Sequence, residues 1–78
     1  MTDSELITKI GLALYGEYWR TDMAKVRDVR RHSIDEWSRG QGAPVPAGVW
    51  AELAGDVAAR LSELDELSKL LAAKAGKG

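Results

Sequence analysis

Leu6, Ile7, Ile10 and Leu14 recur in steps of three and four residues, which gathers them on one face of a helix. Thr2-Asp-Ser-Glu5 ahead of them fits a capping box, in which the threonine oxygen and the glutamate each satisfy an otherwise orphan helix amide. Gly16 is expected as the left-handed residue after the last turn, so the pattern predicts a first helix over about Asp3–Tyr15. Farther along, Trp19, Met23, Ala24, Val26, Val29, Ile34 and Trp37 scatter around the surface of any single helix. A break near Arg27–Val29 resolves the scatter. It gives one short helix with Trp19, Met23 and Val26 on a shared face, and a second with Ile34 and Trp37 inward. Asp28 is suited to the turn or to an N-cap, and Gly40 to ending the second short helix.

Gly40-Gln-Gly-Ala-Pro-Val-Pro46 is rich in glycine and proline and reads as the long loop, with Pro46 suited to the first turn of the next helix. From Ala47 to about Ala75 there is no proline, and Trp50, Leu53, Val57, Leu61, Leu64, Leu67 and Leu71 step by three or four. Such spacing suits a helix that packs on a core and then continues as a coiled-coil-like seam. Its length would be about 42 Å at 1.5 Å per residue, too long for the preceding residues to cover. The second half therefore needs another partner or lies bare. No stretch alternates as a strand does. The expected fold is all-α, a helix-turn-helix bundle of four helices with a long C-terminal helix. Residues 1–58 form the domain, and 59–78 form a dimerisation segment ending in a frayed tail.

Composition narrows the chemistry. The 78 residues contain no cysteine and one histidine, which removes disulfides, thiolate metal sites and most routes to zinc. No apolar run approaches a membrane span, and the first residues do not resemble a signal peptide, so a cytoplasmic protein without a membrane partner is expected. Nucleophile motifs, phosphate loops and metal-ligand spacings are missing too. Asp35 and Glu36 are adjacent on a helix and point about 100° apart, which prevents them from clasping one bond as acid and base. The expectation is a non-enzyme without cofactor, metal or small-molecule substrate. Net charge is −1, but residues 20–39 hold six arginines and lysines against four acids, leaving a basic middle between less basic ends. At this size a partner subunit is a reasonable expectation.

Two short helices joined by a tight turn inside a small bundle is the organisation of a DNA-binding helix-turn-helix. The stretch from Gly11 to Arg60 resembles small bacterial and phage helix-turn-helix proteins related to the Cro and repressor group. The matching residues are Leu14-Tyr-Gly16, Trp19, Met23-Ala24, Val29, Ile34, Trp37, Gly40, Val45-Pro46 and Val49-Trp50-Ala-Glu-Leu53. By that resemblance Ala24 is the small residue where the two helices cross, Val29 the apolar residue after the turn, and Ile34 and Trp37 the anchors of the recognition helix. The chain departs from the pattern at the turn, where the group usually has a hydrophobic residue and then glycine. Here Arg27 and Asp28 stand instead. Aspartate tolerates a left-handed backbone better than most residues, and Arg27 is expected to lay its stem on the core with its head in water.

The resemblance implies a recognition helix over about Arg30–Arg39, entering the major groove by its N-terminal end. Arg31, His32, Asp35 and Glu36 are then the candidates for base edges, since arginine pairs with guanine and a carboxylate accepts from cytosine. Asp35 is also open to pairing with Arg31 or Arg39, each four residues away. Arg20, Lys25, Arg30 and Arg39 are the candidate phosphate contacts. Leu61, Leu64, Leu67 and Leu71 are the candidate dimer interface. The function expected is a sequence-specific, double-stranded DNA-binding transcriptional regulator, a homodimeric repressor on an inverted repeat. The competing expectation is a protein-interaction module on the same scaffold, such as an antirepressor, an antitoxin-like partner or another small inhibitor.

Overall fold

The computed structural model describes Met1–Gly76; of the expected frayed tail, Lys77 and Gly78 lie outside the described residues. Four helices follow one another: α1 (Asp3–Tyr15), α2 (Trp19–Arg27), α3 (Arg31–Arg39) and α4 (Ala47–Gly76). The fold is all-α, and no strand occurs among the described residues. α1 packs on each of the other three helices, with α2 against α3, so it forms the hub of the body.

The capping box forms as the sequence predicts. The Glu5 amide donates to Thr2 Oγ1 at 3.2 Å, and the Thr2 amide donates to Glu5 Oε1 at 3.1 Å. Bonds from the Thr2 amide and then from its hydroxyl hold the Glu5 carboxyl below its ordinary value. At the other end of α1 the expectation needs correcting. Gly16 has a positive φ of 85° but a ψ of −154°, so it turns the chain outward rather than adopting the left-handed helical geometry. Its amide still donates to the Leu12 carbonyl at 3.0 Å. Pro46 also sits one residue earlier than expected, directly before α4, where its carbonyl accepts from the Val49 and Trp50 amides.

The core is Ile7, Trp19, Met23, Ile34, Trp37, Val45 and Leu53, with Val29, Val49 and Trp50 packed against it. Gly11 is buried in α1 where the Trp19 ring crosses it, so close that a Cβ would fall inside the ring's van der Waals envelope. Ala24, which the resemblance placed at the crossing of α2 and α3, packs against the core, and the Gly11 contact is a separate close approach between α1 and α2. Val26 also departs from the expectation that it shares the inward face of Trp19 and Met23. It is 55% exposed, because Trp19 and Met23 extend their row by four residues to Arg27 and turn Val26 away.

Between α2 and α3 the chain needs a three-residue turn, and Asp28 supplies its left-handed residue with φ 54° and ψ 48°. The Asp28 and Val29 amides donate back to Lys25 and Ala24 carbonyls. Arg30, not Asp28, occupies the N-cap of α3, without a side-chain capping bond. Asp28→Gly is expected to raise stability by up to about 1 kcal/mol, and Asp28→Val to lower it by about 1–2 kcal/mol. Equal denaturation midpoints for the two variants would contradict the left-handed turn.

α4 divides in two. Leu53 is fully buried on the body, whereas every described residue from Val57 onward is exposed. Leu61 and Leu71 are each 68% exposed, and the molecule extends to 53 × 25 × 22 Å. The distal half lies bare against its own chain.

Candidate functional site

The turn at Asp28 sets α3 across the body with Ile34 and Trp37 facing the core. Arg30, Arg31 and His32 are all exposed at its N-terminal end, where unpaired backbone amides also point outward. Arg31 is held on two sides. Its Nε donates to Asp35 Oδ1 at 3.3 Å, and its Nη1 donates across the turn to Thr21 Oγ1 at 2.9 Å. Of the two pairings open to Asp35, the structure has the one with Arg31. A second cation joins it, with Arg20 Nε 3.7 Å from the same carboxylate oxygen.

The Arg20 guanidinium carbon lies over the Trp19 ring, 4.8 Å from its centroid, and Nε donates to Ser38 Oγ at 3.4 Å. Ser38 in turn donates to the Asp35 carbonyl. A small network of Arg20, Arg31, Asp35, Ser38 and Thr21 therefore covers one side of α3. Glu36 is drawn the other way, toward the loop. Its carboxylate occupies the space where a side chain at Gly42 would project, and Oε1 lies 3.5 Å from His32 Nε2. Lys25 and Arg39 are exposed at the ends of α2 and α3. The four base-edge candidates are thus on one short helix, with both carboxylates engaged by neighbouring side chains, and the phosphate candidates flank them.

Arg27 is not where the sequence expected it. Its side chain is only 9% exposed, and its head is not in water. Nη1 donates to Glu52 Oε2 at 2.5 Å and Nη2 to Asp56 Oδ2 at 2.7 Å, both on α4. Nε is buried without a hydrogen-bond partner. The row that buries Trp19 and Met23 carries Arg27 inward, and two carboxylates one helical turn apart on α4 meet it. The Arg27 guanidinium is thereby committed to α4. Glu52 and Asp56 were not singled out from sequence. Their signal was present, since acids four residues apart flank the core residue Leu53. Arg60 adds a second tie, donating from Nη2 to the Leu14 carbonyl at 3.2 Å in the last turn of α1.

Among the described residues no group of three His, Asp or Glu side chains is arranged to hold a metal ion, and no helix is long and apolar enough to cross a membrane. No protein-family model, curated protein or solved structure matches the chain.

Proposed function

We propose that the chain is a sequence-specific, double-stranded DNA-binding transcriptional regulator, working as a homodimer that represses by occupying an inverted repeat in the cytoplasm. The observation that supports this reading is the mounting of α3. A left-handed turn residue and two buried anchors fix the helix, while Arg30, Arg31 and His32 project from its N-terminal end. Fixed basic side chains at a helix N-terminus suit entry into the major groove. Arg31 is the leading base reader, because Asp35 and Thr21 orient its guanidinium before any DNA arrives. That orientation reduces the side-chain entropy lost on binding. Asp35 and Glu36 then serve chiefly as partners of Arg31, Arg20 and His32, which moderates their repulsion of phosphate. Lys25, Arg30 and Arg39 are left for phosphate contacts, with Arg20 beside them. The residues offer no catalytic constellation, and the reading needs no cofactor.

Selection from a pool of random duplexes at about 150 mM salt, where specific binding still exceeds phosphate-only binding, should retain a palindromic motif. Its half-sites should lie about one helical turn, some 34 Å, apart. Arg31→Ala should cost about 1–3 kcal/mol and relax one base position. Arg39→Ala should weaken all sequences evenly and lower the salt slope by about one. A folded Arg31→Glu variant that binds the motif as tightly as the parent would overturn the assignment of the face.

The two carboxylates that α3 carries among its basic residues, Asp35 and Glu36, favour one other reading, a protein-interaction module on this scaffold. It would replace the first if the folded protein retained no duplex at all.

A further inference from the structure

We infer that two copies of the chain associate through the distal half of α4 as a parallel pair, in register, with both helical bodies at the same end. The inference rests on the homodimer reading above but not on DNA binding. It begins from the exposed stripe. Val57, Leu64 and Leu71 repeat every seven residues, and Leu61, Ser68 and Ala75 repeat every seven residues on the adjoining row. All six are exposed. Steps of four and three between the two rows are the spacing of a two-stranded seam. The stripe also continues into an apolar groove of about 210 Å³ where Ala13 and Leu14 of α1 approach Val57, Leu61 and Leu64. Burying this face would remove a contiguous apolar strip from water.

Charge complementarity selects the occupant and its direction. One border of the stripe carries Arg60, Leu67 and Lys74, and the other carries Ala58, Asp65 and Ala72. In a parallel pair a residue on the first border meets the residue five positions later on the second border of the other helix. Arg60 of each copy then faces Asp65 of the other, giving two equivalent ion pairs. An antiparallel overlap of the same stretch, with Leu61 against Leu71 of the second copy, sets Asp65 beside Asp65 and Arg60 beside Lys74. Sliding that overlap toward the body relieves the repulsion but pairs no charges and places Leu71 against Ala54. Both charged groups are available for the parallel pairing. Asp65 is held only by an exposed contact to Lys69 at 3.2 Å, which is of little energetic weight. Arg60 uses a single Nη2 bond to the Leu14 carbonyl and keeps other donors free. Ser68 on the seam penalises slipped registers that would face it with leucine.

The chain has no cysteine, so single-cysteine variants give an unambiguous test. Ser68→Cys, Ala75→Cys and the outward-facing control Glu66→Cys all fall at exposed helical positions and should keep native helicity. Sedimentation of the unmodified chain should give a dimer. Under mild oxidation Ser68→Cys and Ala75→Cys should each form a covalent dimer on the order of 100-fold faster than Glu66→Cys, because pairing raises the local thiol concentration to roughly millimolar. Rapid linkage at only one of the two positions would overturn the parallel direction while leaving the homodimer intact. A dimer in which neither links rapidly would overturn the parallel pairing, since the antiparallel overlap sets Ser68 against Leu64 and Ala75 against Val57 of the second copy. A monomer would overturn the pairing and the homodimer reading together.

Discussion

Gly11→Ala is expected to lower the unfolding free energy by about 2 kcal/mol, which for a domain of this size is a fall in Tm of about 8–16 °C. The added methyl would meet the Trp19 ring, and neither group has anywhere to go. Gly11 is buried, and Trp19 is among the largest fully buried side chains of the core. Overpacking of this kind costs about 1–3 kcal/mol and occasionally more. Alanine recovers about 1 kcal/mol of helix propensity, so the net loss is smaller than the clash. Gly55→Ala is the control, since a Cβ there meets nothing within 4 Å. That variant should gain about 0.5–1 kcal/mol from propensity alone. Thermal melts of the two variants should move in opposite directions. If both rise, α1 and Trp19 do not cross as described.

The second large effect concerns the tie between α2 and α4. Glu52→Gln combined with Asp56→Asn leaves the Arg27 guanidinium buried and without a compensating charge. The expected loss is about 2–3 kcal/mol, below the range for a fully buried pair because both carboxylates are partly exposed. Arg27→Leu should behave differently. It removes the cation together with its unpartnered Nε and leaves two carboxylates that water can reach. Its cost is expected to stay under about 1 kcal/mol, and stabilisation is within the range seen when an ion pair gives way to a well-packed apolar residue. Urea denaturation of both variants separates the outcomes. If Arg27→Leu costs as much as the double carboxylate variant, the buried charge is not what makes the tie sensitive.

These two sites also mark the limits of what the sequence disclosed. Helix periodicity, the capping box and the glycine- and proline-rich loop are local signals, and they located all four helices to within a residue or so. Asp28 was legible as a turn residue because few side chains other than Asn and Asp accept a left-handed backbone. Ile34 and Trp37 were legible as anchors because a spacing of three returns them to one face. Arg27 was misread because its environment is set by residues 25 and 29 positions away on α4. Its own neighbours argue only for a solvated arginine. Val26 was misread by the same error, since a row through Trp19 and Met23 can extend to position 26 or to position 27. Hydrophobicity favoured the valine, while the four-residue spacing and two waiting carboxylates favoured the arginine. Gly11 left no sequence signal apart from being a glycine inside a helix.

At the candidate site the residues were legible individually, but their coupling was not. Helix spacing left Asp35 open to Arg31 or Arg39, and the structure has the pair with Arg31. The contributions of Thr21, Ser38 and Arg20 depend on how α2 lies against α3, which no periodicity specifies. The distal leucines illustrate the opposite case. Their exposure followed from simple length, since the body is too short to cover the helix.

The division of α4 also separates the protein's optical signals. All three tryptophans and both tyrosines lie at or before Trp50, so no aromatic residue belongs to the bare half of the helix. Intrinsic fluorescence therefore reports only on the packed body, above all on Trp19 and Trp37 in its core. Far-ultraviolet ellipticity sums over all four helices and draws a large share from the non-aromatic end. Heating curves recorded by the two signals coincide only when the body and the bare half lose structure together. A gap between the curves measures how far the helix end melts independently of the rest.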